Sequence, residues 1–146
     1  MNEDLKEFLR CLNRNRVEFL IIGAHALAFH GLPRFTEDLD LWLSKSKENA
    51  RRLSEALSEF GTPFPEGGEQ EWLGDRKMIR LGHPPNRIDL LNFGPEIPFE
   101  VAYARGLEAE MEGVPVTIIC REDFIRSKRD AGRAKDLRDL EEIGEA

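Results

Sequence analysis

Arg34-Phe35-Thr36-Glu37-Asp38-Leu39-Asp40-Leu41-Trp42-Leu43 is the stretch on which the reading of the fold turns. Acid and leucine alternate through its second half. Successive side chains of a strand point to opposite faces. Asp38 and Asp40 therefore share one face, and Leu39, Leu41 and Leu43 share the other, where they can enter a core. A third acid, Asp89, lies in another apolar run, Arg87-Ile88-Asp89-Leu90-Leu91. If the two runs are neighbouring strands, three carboxylates converge. Such a set suits Mg²⁺ or Mn²⁺, hard ions that take oxygen ligands from one or two carboxylates and from substrate phosphates. A two-metal site holds its ions roughly 3.5–4 Å apart, so its ligands must be crowded and rigid. A solvated acidic strand end is the plainer reading of an isolated Asp-x-Asp.

The segment upstream favours the first reading. Val17 to Ile22 is a short β-branched apolar run and reads as a buried strand. Gly23 ends it, Ala24 to His30 reads as a short helix, and Gly31 with Pro33 stops that helix. A strand, a glycine turn and a helix N-terminus together form an anion site, because free N–H groups and the helix dipole face the turn. Strand-to-helix turns use glycine routinely. The order is more specific than the glycine: a phosphate cradle, then an acid pair.

Gly23-x-His25-Ala26, His30-Gly31-x-Pro33-Arg34-x-Thr36 and Asp38-Leu39-Asp40-Leu41 together resemble the signature of the DNA polymerase β-like nucleotidyltransferase superfamily. The resemblance is nearest to the small bacterial branch grouped with AbiEii-type toxin nucleotidyltransferases. It continues through Pro84-Pro85-Asn86-Arg87-Ile88-Asp89, Phe99-Glu100-x-Ala102-Tyr103, Asp123-Phe124-Ile125-x-x-Lys128 and Arg133-x-Lys135-Asp136-Leu137-x-Asp139. It implies an α+β domain with a mixed sheet flanked by helices, and Asp38, Asp40 and Asp89 as metal-binding catalytic acids. It also implies transfer of a nucleoside monophosphate from an NTP to a hydroxyl acceptor, either an RNA 3′ end or a protein side chain. Gly23, Ala24, His25, Arg34, Thr36 and Lys128 would hold the nucleotide. A cognate toxin or antitoxin is the partner the branch suggests. The superfamily's phosphate turn is usually Gly-Gly or Gly-Ser; Gly23-Ala24 keeps the backbone N–H and lacks the hydroxyl.

The chain as a whole bounds the function. Its 146 residues suit one domain, and 40% hydrophobic residues suffice for a core. No apolar run approaches the roughly 18–20 residues of a membrane span, and the charged N-terminus does not read as a signal peptide. Cys11 and Cys120 lack motif spacing, which fits a reducing compartment, so a cytoplasmic protein is expected. A net charge of −7 argues against tight autonomous binding to nucleic acid. The arginines and lysines of the C-terminal quarter alternate with acids, as on a solvated helix face.

Periodicity gives the remaining elements. Leu5, Phe8, Leu9 and Leu12 fall on one face of a helix over residues 2–15. The acid-pair strand covers 38–43. Ser44 or Ser46 caps a helix with Ala50, Leu53, Leu57 and Phe60 inward and Gly61 as its stop. Residues 62–75, rich in Pro and Gly, read as a long mobile loop at the edge of the site. Strands follow at 77–81 and 87–91, a short helix near 99–105, strands near 107–112 and 114–119, and helices at 121–130 and 133–143.

Several side chains keep two readings. Arg34 reaches a phosphate or forms a structural ion pair, and Thr36 supports either the loop or the turn. His25 and His30 are badly spaced for a shared metal and suit packing or a hydrogen-bonded core. Lys128 binds triphosphate as a point charge or is a solvated lysine. Asp136 and Asp139 share a helix face, and Asp136 would hold Lys128 or Arg133 in place. Trp42 and Trp72 pack in the core or stack on a base. The rival to an enzyme is a non-catalytic or partner-dependent nucleotide-binding module, since no separate acceptor-binding domain is evident.

Overall fold

A computed structural model describes residues 3–31 and 38–144. In chain order the elements are α1 (Glu3–Arg14), β1 (Phe19–Ile22), α2 (Gly23–Phe29), β2 (Asp38–Leu43), α3 (Lys47–Phe60), α4 (Gly68–Trp72), β3 (Met78–Leu81), β4 (Arg87–Leu91), α5 (Phe99–Ala104), β5 (Leu107–Met111), β6 (Val114–Ile118), α6 (Arg121–Ala131) and α7 (Ala134–Glu142). The strands form one mixed sheet in the order β3-β4-β2-β1-β6-β5. β1 runs antiparallel to β2 and parallel to β6, β2 runs parallel to β4, and the edge strands β3 and β5 pair antiparallel with β4 and β6. This is the α+β architecture, a mixed sheet flanked by helices, that the resemblance implies.

The period of β2 divides the sheet's two faces. Leu39, Leu41 and Leu43 are fully buried, beside Phe19 and Ile21 of β1. They share a core with Leu5, Phe8, Leu9 and Leu12 of α1 and Ala50, Leu53 and Leu57 of α3. Phe8 meets Phe60 edge-on at 5.0 Å between ring centroids, tying the two helices together. On the other face Trp42 is buried edge-on against Phe99 of α5 at 5.2 Å, and Phe99 stacks on Tyr103 at 5.3 Å. Core packing is thus the role of Trp42. Trp72 is 2% exposed and packs likewise.

The segment over 62–75 corrects the expectation of a long mobile loop. It contains α4, and the Asn92 side chain just beyond β4 donates to the carbonyls of Trp72 at 2.9 Å and Gly74 at 2.8 Å. The physical reason is burial: Trp72 removes a large apolar surface from water, and Asn92 satisfies the backbone carbonyls beside it. The helix that follows β2 is stopped and started as the sequence predicts. Ser46 accepts a hydrogen bond from the Asn49 N–H at 3.1 Å, and Gly61 closes the helix at φ +94.

Asn49 ties α3 to the strands that present the acids. Its side chain accepts from the Glu18 N–H at 2.7 Å and donates to the carbonyls of Glu18 at 3.1 Å and Ser44 at 2.8 Å. These residues lie just before β1 and just after β2, and Asn49 is 2% exposed. Asn49→Ala would leave buried backbone groups unpaired. It should lower unfolding free energy by about 2–4 kcal/mol, as measured by urea denaturation, with little change in the slope.

Candidate active site

The site is assembled by register. Asp40 of β2 is the direct neighbour of Asp89 on β4, and Asp38 neighbours Arg87. Asp89 in turn pairs across β4 with Arg80 of β3. Paired residues on adjacent strands point to the same face. Arg80, Asp89 and Asp40 therefore form one row across three strands, with Asp38 and Arg87 in the adjoining row. The Asp40 carboxyl contacts Asp89 and lies in the field of Asp38, so the three predicted acids are brought together.

Such crowding has an electrostatic cost. Burial, then repulsion from Asp89 and Asp38, pushes the Asp40 carboxyl up to about 6, against an attraction from Arg87. Two guanidiniums offset the remaining charge. Arg80 donates to both oxygens of Asp89, with Nε at 2.9 Å and Nη2 at 3.3 Å. Arg87 Nη2 donates to Asp38 at 2.5 Å, and its Nε stands 4.0 Å from Asp89. Asp89 is 8% exposed at its side chain, whereas Arg80 is 49% exposed. The hydrogen bonds to Asp89, reinforced by the fields of Asp38 and Asp40, hold the Arg80 guanidinium above its ordinary range.

By chemistry and placement the acids suit a divalent cation: oxygen donors on adjacent strands, one of them driven to take up a proton by burial and then by the charge of the others. In the arginine-paired arrangement, no three His, Cys, Asp or Glu side chains among the described residues are grouped so that they could hold a metal ion. The donors are in register while Asp38 and Asp89 are turned to guanidinium.

Gly23 has a role that turn chemistry alone did not reveal. It adopts φ +71, and a Cβ there would overlap Asp40 Oδ2. The glycine thus leaves room for the carboxylate as well as permitting the turn. Ala24 and His25 follow in the first turn of α2, whose N-cap Ile22 supplies no side-chain acceptor. Burial holds the His25 imidazole below its ordinary range, opposed by Asp38, and its Nε2 has no hydrogen-bond partner. His30 Nε2 lies 2.7 Å from the Ile119 carbonyl, a packed and hydrogen-bonded histidine as expected. Arg34 and Thr36 lie outside the described residues.

Lys128 is committed to an ion cluster. Its Nζ lies 3.3 Å from Asp136 and 3.2 Å from Asp139, both buried carboxylates on one face of α7. Arg133 also hydrogen-bonds Asp136 through Nε at 2.7 Å, and with Lys128 holds that carboxyl below the usual range. Asp136 holds both Lys128 and Arg133, where the sequence offered one or the other, and shares a helix face with Asp139 as the spacing predicts. A second ion pair, in which the half-exposed Arg105 donates Nε to buried Asp123 at 2.9 Å, anchors α6 to the residue after α5.

The residues that sequence reasoning missed are Arg80 and Arg87. The i, i+2 relation of Arg87 to Asp89 was readable as a shared strand face. Arg80 needs the β3–β4 register, which no local pattern carries.

An acid pair on a central strand, a third acid on its parallel neighbour and a glycine-opened helix between β1 and β2 stand on a mixed sheet of the nucleotidyltransferase fold. The chain belongs to the family "Nucleotidyl transferase of unknown function (DUF2204)", whose model matches residues 1–146. Solved structures share the fold. TM1012 of Thermotoga maritima, a candidate nucleotidyltransferase, superposes with a TM-score of 0.61 at 15% identity, covering 94% of this chain and 88% of that one. ANT(2'')-Ia, solved in complex with adenylyl-2''-tobramycin, superposes with a TM-score of 0.59 at 16% identity over 94% of this chain and 84% of that one. An antigenic nucleotidyltransferase-like protein of Paracoccidioides brasiliensis gives a TM-score of 0.51 at 17% identity, covering 95% and 71%. No curated protein matches the sequence significantly. None of the described helices is long and apolar enough to cross a membrane.

Two outcomes follow from the packing around Asp40. Its proton affinity is raised in the folded state, so without metal the folded protein binds more protons than the unfolded chain between about pH 4 and 6. Stability from this group therefore falls as pH rises through that window. Asp40→Asn should raise the melting temperature of the metal-free protein at pH 8, by up to about 3 kcal/mol in free energy, and give little gain at pH 4. Equal gains at both values would mean that charge repulsion is not the cause. Gly23→Ala should destabilise by about 1–3 kcal/mol through the strained φ and the displaced carboxylate. Pairing it with Asp40→Ala should recover the steric part, which a double-mutant thermal melt reads directly.

Proposed function

We propose that this chain is a metal-dependent enzyme that transfers a nucleoside monophosphate from an NTP to a hydroxyl acceptor. The single observation that carries the reading is the register of Asp40 against Asp89 with Asp38 on the same face of β2. Family membership supports nucleotidyl transfer as the reaction class.

Asp38, Asp40 and Asp89 would hold Mg²⁺ or Mn²⁺, which when bound polarises the triphosphate and lowers the pKa of the attacking hydroxyl. Gly23, Ala24 and His25 line the turn against which the phosphates lie, through backbone N–H groups rather than a side-chain hydroxyl. Asp89 accepts the proton of the attacking hydroxyl. The acceptor oxygen forms its bond to the α-phosphorus, the bond to the bridging oxygen of the β-phosphate breaks, and pyrophosphate leaves. Arg34, Thr36 and Lys128 complete the proposed nucleotide site. Arg34 neutralises charge on the leaving group, and Thr36 steadies the turn. Lys128 would need to leave Asp136 and Asp139 to touch the triphosphate, and otherwise acts by fixing α6 against α7.

The acceptor in this reading is an RNA 3′ end or a protein side chain, in the cytoplasm, with a cognate toxin or antitoxin as partner. ANT(2'')-Ia, whose complex carries an adenylyl group on tobramycin, illustrates the same fold serving a hydroxyl acceptor in another protein. The acidic net charge of −7 favours a protein acceptor over a long nucleic acid. The closure of the acids by Arg80 and Arg87 favours a second reading, a partner-dependent module that binds nucleotide only in a complex.

Incubation with each α-labelled NTP, Mg²⁺ and cell extract tests the proposal. Label should enter a macromolecule with one preferred NTP, require the divalent ion, and fall by at least about 100-fold in Asp38→Asn or Asp40→Asn. Protease or ribonuclease sensitivity of the product identifies the acceptor. Labelling that survives both substitutions would exclude these acids from the chemistry.

A further inference from the structure

Arg80 and Arg87 are the unassigned groups nearest the acids, and their placement is unusual for bystanders. Arg80 spans both oxygens of Asp89 from the edge strand β3, yet its side chain is half exposed. Arg87 donates to Asp38 from within β4. Its Nε is buried, has no hydrogen-bond partner and faces Asp89 from 4.0 Å. Each guanidinium therefore covers carboxylate oxygens that a divalent cation would need.

We propose that Arg80 and Arg87 are exchangeable counter-ions, which occupy the acids in the metal-free protein and become ligands of the triphosphate when the metal enters. The inference rests on the nucleotidyltransferase reading of the site and adds two nucleotide-binding residues to it. A guanidinium and a divalent cation compete for the same oxygens, so metal alone binds against the cost of displacing the arginines. A guanidinium that is displaced must find another anion or return to water. Triphosphate oxygens offer bidentate acceptors of the kind that arginine forks match. Arg80 is well suited to the exchange, because its exposed half can swing over the edge of the sheet without disturbing the core. Arg87 is less free: it lies on the strand that carries Asp89, so its charge stays at the site after the exchange. Metal and nucleotide then bind with positive coupling, each relieving what opposes the other.

The coupling predicts effects of opposite sign from one substitution. Mn²⁺ binding in the absence of nucleotide is followed by the electron paramagnetic resonance signal of the free ion, in wild type, Arg80→Gln and Arg87→Gln. Both variants should bind Mn²⁺ about 5–20-fold more tightly, because a competing charge is gone. At fixed saturating Mg²⁺, affinity for a fluorescent ATP analogue should fall by a similar factor in the same variants. Arg80→Lys, which retains the charge at an exposed position, should lie between wild type and Arg80→Gln in both measurements. Circular dichroism spectra and thermal melts confirm folding, and Arg80→Gln on the half-exposed edge keeps the test available should Arg87→Gln fail to fold. Unchanged Mn²⁺ affinity in Arg80→Gln overturns the counter-ion role while leaving the metal site standing. Tighter Mn²⁺ binding with undiminished nucleotide affinity overturns the ligand exchange. Absence of Mn²⁺ binding in wild type and variants alike overturns the metal-dependent reading and this inference together.

Discussion

The alignment of β2 with β4 governs the rest of the structure. Parallel pairing sets Asp40 beside Asp89 with Asp38 one pleat away, on the same face. A one-residue slip of either strand would send one acid, or a pair of them, into the apolar core. The leucines between the acids prevent that slip, since Leu39 and Leu41 are fully buried and can pack only on the face they occupy. Hydrophobic burial thus supplies the force that holds like charges together. The apolar face is the larger, inflexible term, and the polar face must accommodate the repulsion that results.

That repulsion is managed in three ways, each visible in a different side chain. Asp40 tends to take up a proton. Asp89 and Asp38 are each paired with a guanidinium from the sheet itself. Gly23 withholds a side chain where one would push Asp40 away. The first two are reversible and the third is not. An acid cluster stabilised by groups that can leave is suited to receiving a cation, whereas one held by a mostly buried cation, such as Asp139 with Lys128, serves packing. Asp136 and Asp139 are as buried as Asp123 and hold Lys128 between α6 and α7.

Much of this was legible from local pattern. The alternation in Asp38-Leu39-Asp40-Leu41 set the strand, its faces and the shared side of the acids. Ser46 and Gly61 marked the ends of α3 because capping is a short-range matter of hydrogen bonds and φ. The inward stripe of α1 followed from helical spacing. The misses share one physical origin, which is dependence on partners distant in the chain. Trp72 sits among Pro and Gly, where local propensity says loop, yet Asn92 and the core hold it as a helix end. Arg80 acquires meaning only when β3 pairs with β4. Gly23 reads in sequence as the turn of a phosphate cradle, and its close approach to Asp40 emerges only from the β1–β2 register.

The distribution of positive charge bears on how so acidic a chain would handle a triphosphate. Lys128 reads in sequence as the natural phosphate-binding cation, but it is 15% exposed and satisfied by two buried carboxylates. Moving it would remove an ion pair from each of two buried carboxylates, although Asp136 would keep Arg133. Arg80 loses less in the proposed exchange, because water already reaches half of it and the incoming cation takes over buried Asp89. Between a cation locked in a helix cluster and one hinged at a sheet edge, the energetics favour the edge as the source of charge for the leaving pyrophosphate. In the proposed reaction Lys128 then contributes through the rigidity of α6 and α7. In that reaction the exchangeable charge lies in the sheet that also supplies the acids.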